Sequence, residues 1–202
     1  MMVLGLTGPT GAGKGAVSEL FDKLYHVPSI DTDRVYHDLL IPPSDCLDEL
    51  VLAFGQSVLS PDGTLDRPML SRIVFSDPTR EKQNLLNQIT HKYVLNQTRK
   101  MLAEYRRNGK HAVLVDAPLL YESGFDTECD AVIAVLAPRN VRKARIIARD
   151  HLSEERATAR LNMQKADEFY KERTKFLLLN DGDISSLELQ VTTLAAHLGV
   201  NA

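Results

Sequence analysis

Residues 2–15 read Met-Val-Leu-Gly-Leu-Thr-Gly-Pro-Thr-Gly-Ala-Gly-Lys-Gly. A short apolar run leads into a glycine-rich turn, which is followed by a lysine and by a helical pattern of apolar residues. Gly8, Gly13 and Lys14 match G-x-x-x-x-G-K, the phosphate-binding loop. Glycines let backbone N–H groups surround a phosphate without obstruction by a Cβ atom, and the helix start directs its positive dipole end at the same anion. A chance turn between a strand and a helix is the alternative, but the position of the motif favours a nucleoside triphosphate site.

The predicted nucleotide-binding residues lie in this loop and just after it. Lys14 supplies a mobile positive charge for the outer phosphates, which also makes it a predicted catalytic residue. Ser or Thr usually follows the lysine and binds Mg²⁺ through its hydroxyl, but here Gly15 and Ala16 follow. We therefore expect Mg²⁺ to be held through water and distant carboxylates, or to bind with reduced affinity. The predicted cofactor-binding residues of the loop are Gly8, Gly11, Ala12, Gly13, Lys14, Gly15 and Ala16.

The composition is that of an ordinary globular protein. The chain has 202 residues, of which 44% are hydrophobic and 25% charged, and its net charge is −3. This charge provides no basic field to recruit nucleic acid, no apolar stretch approaches the length of a membrane span, and the first residues lack the basic start of a signal peptide. We therefore predict a cytoplasmic protein without nucleic acid or membrane partners, and the oligomeric state stays open. Cys46 and Cys129 are expected to be reduced thiols.

Five apolar runs are predicted to be strands separated by helices. They cover residues 2–7, 27–30, 111–116, 130–136 and 176–180. Asp77 and Pro78 are expected to start a helix, and Ser185 and Glu188 are expected to form a capping box on the last helix. The alternation implies a parallel sheet with helices on both faces. We predict an α/β, P-loop NTPase-type three-layer fold with a five-stranded parallel sheet.

Helical patterns dominate from about residue 33 to 107 and interrupt this alternation. We expect residues 1–202 to form a single domain, with a nucleotide-binding core at 1–41 and 108–202 and a helical acceptor-binding insertion at 42–107. Ligands of such sheets bind at the carboxyl ends of the strands. The polar residues that follow strand ends, and that are predicted to converge with the glycine loop, are Asp31, Asp33, Asp116 and Asn180.

Further short motifs follow the loop in order. They are Ile30–Asp33 with His37 (I-D-x-D), Asp62–Arg67 with Leu70 and Phe75 (D-G-x-L-x-R…L…F), Ile89–His91 (I-x-H-P, with Lys92 replacing the proline), Asp116–Glu122 (P-L-L-x-E), Arg145 and Arg149–Asp150 with Arg160 and Gln164 (R-x-x-x-R-D, then R…Q), and Asn180–Gly182 (N-x-G). Together they resemble the dephospho-CoA kinase family over nearly the whole chain. Several independent matches in the right order are far more specific than the glycine loop.

This resemblance implies phosphorylation of the ribose 3′-hydroxyl of dephospho-CoA by ATP with Mg²⁺, the last step of coenzyme A synthesis. It implies a helical CoA-binding subdomain and a small helical lid at residues 142–165. Asp33 is expected to accept the proton of the acceptor hydroxyl or to orient it, and the alternative is a helix N-cap. The residues expected to contact the acceptor are Asp33, Arg67, His91, Pro118, Leu119 and Leu120.

Other site residues also have ordinary structural interpretations. Asp116 either holds a metal-bound water or is a polar strand end bonded to its loop. Asn180 either meets the edge of adenine or forms a turn. The remaining alternatives are a salt bridge for Arg67, a buried helix histidine for His91, and core or pocket wall for Leu119 and Leu120.

Arg142, Arg145 and Arg149 recur at i, i+3 and i+7 and therefore share one face of a helix. A solvated basic face is the usual explanation of such spacing. The interruption at residues 150–153 favours instead a hinged pair of helices, which a closing lid needs in order to stabilise a transferring phosphoryl group. We select Arg149 as the predicted catalytic and ATP-binding arginine.

Two other functions are weighed against this one. A nucleoside monophosphate kinase, or another small-molecule P-loop kinase, is slightly favoured by Gly15 but disfavoured by the ordered motifs after residue 30. A weakly catalytic nucleotide-dependent switch is supported only by Gly15 and Ala16, and it is disfavoured by the presence of Lys14, Asp33 and Arg149.

Overall fold

A five-stranded parallel sheet forms the centre of the protein, as the sequence predicts. The computed structural model describes residues 1–201. The strand order is β2-β3-β1-β4-β5, and every neighbouring pair is parallel. The second strand lies slightly later than predicted. The strands are β1 Met2–Thr7, β2 Ser29–Asp31, β3 Ala112–Asp116, β4 Ala131–Leu136 and β5 Phe176–Leu179.

Nine α-helices are found within residues 1–201. They are α1 Lys14–Tyr25, α2 Thr32–Asp38, α3 Asp45–Phe54, α4 Arg67–Phe75, α5 Glu81–Arg107, α6 Arg139–Asp150, α7 Glu154–Asn162, α8 Asp167–Lys171 and α9 Ile184–Leu198. Short 3₁₀ turns occupy Gln56–Val58 and Phe125–Glu128.

The sheet is covered on both faces because its strands are apolar at successive positions. Alternate residues of a strand point to opposite faces. On β4, Ile133 and Val135 join the main core with α1 and α9, whereas Ala134 and Leu136 pack against Tyr170 of α8. The main core also contains apolar side chains of β1, β3 and β5. This layering confirms the predicted three-layer α/β fold.

Two predicted helix starts are wrong in detail. The last helix begins at Ile184, and its cap is Asp183, whose carboxylate accepts the Ser186 N–H at 2.8 Å. Helix α5 begins at Glu81, so Pro78 lies in the turn before the helix. Asp77 nevertheless serves this start, because its carboxylate accepts the N–H of Thr79 and that of Lys82, each at 3.0 Å.

The chain divides into two compact units. One unit comprises Met1–Asp31 together with the chain from Glu104 onward, and the other comprises Thr32–Ala103. The first unit contains the sheet. The sequence also predicts which segments bind the nucleotide, bind the acceptor and form the lid. That division concerns ligand binding and stays a prediction.

The second unit is held by small apolar clusters and by one polar network. Cys46 and Leu50 of α3 pack with Ile89 of α5. Lys92 donates a hydrogen bond to Glu49 Oε2 at 2.5 Å, and the Tyr93 hydroxyl donates to the same oxygen at 2.7 Å. The hydrogen bond from Lys92 lowers the pKa of Glu49. Lys92, which stands where the resemblance expects a proline, therefore joins α5 to α3.

Both cysteines are free, as expected. Burial raises the pKa of the Cys46 thiol to about 11 and that of the Cys129 thiol to about 12. Among residues 1–201, no helix combines the length and the apolar character that crossing a membrane requires.

Candidate active site

The glycine loop between β1 and α1 contains three glycines with a positive φ angle, and two of them closely approach the backbone of another element. Gly8, Gly11 and Gly13 have φ angles of 140°, 78° and 96°, which L side chains rarely adopt. A Cβ atom would lie 2.3 Å from the Val135 carbonyl oxygen at Gly8 and 2.8 Å from the Arg142 carbonyl oxygen at Gly11. The loop therefore requires these glycines both for its conformation and for its packing against β4 and α6.

Gly13 and Gly15 differ in this respect. A Cβ atom at Gly13 would lie 2.0 Å from Asn180 Nδ2, whereas one at Gly15 meets no atom within 4 Å. Gly13 directly precedes α1 and lies in the left-handed region, and no side chain caps the helix there. The first N–H groups of a helix have no partner within the helix. The start of α1 therefore offers its backbone donors to an anion.

Three side chains from distant parts of the sequence hold the backbone of the loop. Arg145 of α6 donates to the carbonyl oxygens of Gly11 and Ala12 at 3.4 and 3.3 Å. The Asn180 amide donates to Ala12 at 2.9 Å and accepts a hydrogen bond from Arg145 at 3.1 Å. Gln164 accepts the N–H of Thr10 at 3.2 Å. These bonds orient the peptide groups that line the loop.

Asn180 is placed at the glycine loop, next to its residues Ala12 and Gly13. Its side chain is buried and its amide group is engaged with the loop and with Arg145. The predicted contact with adenine stays a prediction, and the structure adds a second role, which is to support the loop.

Lys14 and Asp116 face each other across the end of the sheet. Lys14 Nζ lies 3.8 Å from Asp116 Oδ1, and the two side chains are 14% and 17% exposed. Asp116 ends β3, and β1 and β3 are adjacent strands. A positive charge for phosphate and a carboxylate that suits Mg²⁺ are thus neighbours, as the convergence of strand ends predicts.

The two acidic residues near the end of β2 occupy different positions. Asp31 is the last residue of β2 and lies in register with Asp116 of β3. Asp33 lies inside the first turn of α2, which begins at Thr32, and it is exposed. Asp33 therefore does not precede the helix as the N-cap interpretation assumes. Its contact with an acceptor hydroxyl stays a prediction.

The arginines of α6 are not one solvated basic face. Arg142 is buried and lies 3.4 Å from Asp167, and Arg145 contacts the glycine loop. Arg149, the predicted catalytic arginine, makes two hydrogen bonds to Asp150 at 2.7 and 2.9 Å. The three arginines on this face of α6 thus contact three different partners, which are Asp167, the glycine loop and Asp150.

Asp150 joins Arg149 of α6 to Arg160 of α7. Arg160 Nη1 donates to Asp150 Oδ2 at 2.6 Å. The hydrogen bond from Arg149 and the nearby Arg160 charge lower the pKa of the Asp150 carboxyl to about 2. Asp150 is therefore ionised at neutral pH, and two guanidinium groups share its charge.

Helices α6 and α7 are interrupted after Asp150, where the sequence predicts a break, and they pack on each other. Their motion as a lid stays a prediction. Ile146, Ala157 and Leu161 form a buried apolar cluster between the two helices. Lys143 also pairs with Glu154 at 2.6 Å across the same contact. A motion of this segment would therefore carry both helices together, because opening them would expose the cluster.

The residues predicted to bind the acceptor lie in both units. In the second unit, the Arg67 guanidinium lies 3.1 and 2.8 Å from the two ring nitrogens of His37, and His91 is half-buried on α5. In the first unit, Leu120 is fully buried against Gly5, so it is a core residue. Leu119 is half-exposed and Pro118 is partly buried beside it. Their contacts with an acceptor stay predictions.

Sequence reasoning left Arg145, Asp150, Arg160 and Gln164 out of the predicted site residues. All four belong to the motifs that carried the resemblance. The spacing of Arg145 and Arg149 held a further signal, because residues four apart on α6 share a helix face.

The comparisons with known proteins agree with this geometry. A family model described as dephospho-CoA kinase matches residues 2–186. A dephospho-CoA kinase of Moorella thermoacetica is 40% identical over 192 residues, which cover 95% of this chain and 89% of the relative. The chain belongs to the dephospho-CoA kinase family.

Solved structures show the same fold. A crystal structure from Thermus thermophilus is 30% identical, covers 98% of this chain and 97% of its own, and has a TM-score of 0.80. The dephospho-CoA kinase of Campylobacter jejuni shares the fold with a TM-score of 0.69 at 24% identity, over 97% of this chain and 96% of its own. The fold predicted from the glycine loop and the strand pattern is confirmed.

Few protein side chains near the glycine loop could bind the Mg²⁺ ion that is expected for a kinase of this family. Within residues 1–201, no group of three or more His, Cys, Asp or Glu side chains could hold a metal ion. Mg²⁺ in kinases commonly keeps several waters and takes one or two carboxylates plus substrate phosphates. The carboxylate of Asp116 beside Lys14 fits that kind of site, and Gly15 contributes no side-chain oxygen.

Proposed function

We propose that this chain transfers the γ-phosphoryl group of ATP to the ribose 3′-hydroxyl of dephospho-CoA and releases coenzyme A and ADP. The observation that carries the proposal is the glycine loop with Lys14 and Asp116 at its end, in a chain of the dephospho-CoA kinase family. Transfer of the phosphoryl group forms a bond from the hydroxyl oxygen to phosphorus and breaks the bond to the β–γ bridging oxygen. The hydroxyl proton leaves to a base or to water.

On the donor side, the glycine loop and Lys14 bind the triphosphate. The residues proposed to contact ATP are Gly8, Gly11, Ala12, Gly13, Lys14, Gly15, Ala16, Arg149 and Asn180. Lys14 and Arg149 stabilise the charge of the transferring phosphoryl group, because fixed cations near a developing charge lower the barrier. Exclusion of water by the packed α6–α7 pair would strengthen both interactions.

On the acceptor side, Asp33 orients the 3′-hydroxyl or accepts its proton. Phosphoryl transfer passes through a loose transition state, so correct positioning contributes more than basicity. Arg67, with His37 beside it, provides positive charge for an anionic acceptor. The other proposed acceptor contacts are His91, Pro118 and Leu119, whereas Leu120, which the sequence had placed with them, is a buried core residue.

Mg²⁺ would be held mainly by ATP phosphates and waters, with Asp116 as the protein carboxylate that takes part through water. When bound, the ion neutralises phosphate charge and orients the triphosphate. We also propose a cytoplasmic location for the chain, since it has the composition of an ordinary globular protein.

The second candidate is another small-molecule kinase, such as a nucleoside monophosphate kinase, and the third is a weakly catalytic nucleotide switch. Both are favoured only by the missing hydroxyl at Gly15. A coupled assay of ADP release separates the three, with dephospho-CoA, AMP or no acceptor added in parallel. We expect ADP release that depends on dephospho-CoA. Release with AMP alone would establish the second candidate, and ATP binding without acceptor-dependent release would establish the third.

A further inference from the structure

The carboxylate of Asp150 lies between two arginines that belong to different helices. It accepts two hydrogen bonds from Arg149, from Nε at 2.7 Å and from Nη2 at 2.9 Å, and one from Arg160 at 2.6 Å. Arg149 and Arg160 remain 60% and 46% exposed, whereas Asp150 is 24% exposed. The carboxylate is thus the most enclosed member of the group, and the two guanidiniums surround it.

This group is attached to the glycine loop at two points. Arg145, one turn before Arg149 on α6, donates to the loop carbonyls of Gly11 and Ala12. Gln164, four residues after Arg160, accepts the Thr10 N–H. Side chains four residues apart on a helix are neighbours. Arg149 therefore lies beside a side chain that contacts the phosphate-binding loop, and a second such side chain, Gln164, stands in the turn that follows α7 and Arg160.

A guanidinium has five N–H donors, and Asp150 uses only two of those on Arg149 and one of those on Arg160. The other donors do not point at the carboxylate and stay available to an anion while the contact with Asp150 is kept. Two cations and one carboxylate carry a net charge of +1. Without Asp150, two positive charges held together by the α6–α7 packing would repel each other.

We propose that Asp150 is a positioning residue that holds Arg149 and Arg160 as a single pair of cations directed at the transferring phosphoryl group. The inference rests on the proposed function. It adds Arg160 to the residues that act on the phosphoryl group and gives Asp150 a role other than joining two helices. Groups placed in advance stabilise a developing charge because they need not reorganise during the reaction.

The test compares Asp150→Asn with Asp150→Glu and with a matched control, Lys143→Ala. Asparagine keeps the size of the side chain, but it removes the negative charge and replaces one acceptor oxygen by an NH₂ donor, so at least one of the three hydrogen bonds from Arg149 and Arg160 is lost. Lys143→Ala removes the Lys143–Glu154 pair, which joins the same two helices without touching the arginines. Melting temperatures of all variants are measured first, and kinetics are measured where each variant is folded.

We expect Asp150→Asn to lower kcat by ~10-fold or more, since small misplacements of catalytic groups have effects of this size, and to change KM for dephospho-CoA much less. Asp150→Glu should recover part of this loss because the carboxylate is kept. Arg160→Ala should lower kcat in the same direction, and Lys143→Ala should leave kcat unchanged. An Asp150→Asn variant whose kcat equals that of the wild type or of Lys143→Ala would overturn the inference.

A second measurement does not depend on the acceptor. Affinities for ATP and for ADP are measured by titration calorimetry with Mg²⁺ present. If the wild type fails to phosphorylate dephospho-CoA, the proposed function fails, and these affinities decide the present inference by themselves. In that case a smaller preference for ATP over ADP in Asp150→Asn than in the wild type supports it, and an unchanged preference overturns it.

Discussion

The ammonium group of Lys14 lies 3.8 Å from the Asp116 carboxylate, in a partly enclosed setting where each charge has little access to water. A bound triphosphate brings several negative charges to the same ammonium group. The attraction between the Lys14 ammonium group and the phosphates is strongest while charge moves during phosphoryl transfer. Lys14 should therefore stabilise the transition state more than the ground state.

Lys14→Ala should therefore lower turnover by roughly 10²-fold or more, as loss of other electrostatic contacts in active sites does. Steady-state assays with saturating ATP measure this effect. Lys23→Ala is a matched control, because Lys23 lies in the last turn of the same helix and is exposed. Equal turnover in the two variants would contradict the role of the glycine loop.

Gly15→Ser should lower the Mg²⁺ concentration that gives half-maximal rate, since the hydroxyl offers the metal a ligand that this chain lacks. The structure allows the substitution, because Gly15 lacks the positive φ angle of the other loop glycines and a Cβ atom there has open space. Gly15→Ala is the control that adds the Cβ atom without the oxygen. If serine and alanine give the same magnesium dependence, the missing hydroxyl has no effect in this protein.

Asp33→Asn should lower phosphorylation by ~10²-fold or more while ATP affinity and melting temperature stay near those of the wild type, because the amide neither accepts a proton nor orients a hydroxyl as a carboxylate does. Asp38→Asn is the control, because Asp38 is also exposed and lies at the other end of the same helix. A purely structural role in the first turn of α2, where an acidic side chain interacts favourably with the helix dipole, would instead cost up to about 1 kcal/mol of stability and leave activity intact. Turnover and melting temperature from one preparation distinguish the two.

At the scale of elements, the phosphate-binding loop depends on the helices and strands around it. Gly11 packs on the backbone of α6 at Arg142, and its φ angle is 78°. Gly15, four residues later, has neither constraint. Replacement of each glycine by alanine therefore distinguishes a glycine that the loop packing requires, at Gly11, from one that only starts a helix, at Gly15.

Gly11→Ala should destabilise the protein by ~1–3 kcal/mol, the usual cost of one residue in an unfavourable backbone conformation, with additional loss from the contact with Arg142. Gly15→Ala should change stability little. Thermal unfolding followed by circular dichroism measures both. The packing described for the loop would be wrong if the two variants melted at the same temperature.

The element scale also shows where sequence patterns lose accuracy. The pattern at Ser185 and Glu188 has the spacing of a capping box, but Asp183 caps the helix two residues earlier. Both residue types accept a hydrogen bond from a backbone N–H, so composition alone cannot choose between them. The choice depends on where the chain leaves β5, which is a property of the sheet.

At the scale of the whole molecule, the two units have cores of different kinds. The main core of the first unit joins side chains from β1, β3, β4, β5, α1 and α9. The second unit contains small clusters, such as Val58 with Leu70 and Val74, and polar ties such as Lys92 with Glu49. Local opening is easier where few buried apolar side chains hold the backbone.

Amide hydrogen exchange should therefore be slowest in β1 and β3 and faster in α3 and α4. Native-state exchange followed by mass spectrometry of peptides from each element checks this order. Protection of α3 equal to that of β1 would contradict it and would show that both units open only on global unfolding.

The sequence by itself determined the fold class, the phosphate-binding loop and the family. The loop glycines, Lys14 and the apolar strand patterns are local features, and each has one physical consequence that follows from chemistry and spacing. The order of the motifs along the chain was enough to indicate the family. The family model and the curated relative match this chain over nearly its whole length.

Only the tertiary structure decided what the polar residues at the loop do. Asn180, Arg145 and Gln164 are far apart in sequence, and their hydrogen bonds to the loop exist because β5, α6 and the segment after α7 meet there. The structure also assigned Leu120 to the core and placed Asp150 between two arginines. A polar side chain acts on whichever partner the fold brings within hydrogen-bond distance, and sequence spacing does not determine that distance between elements.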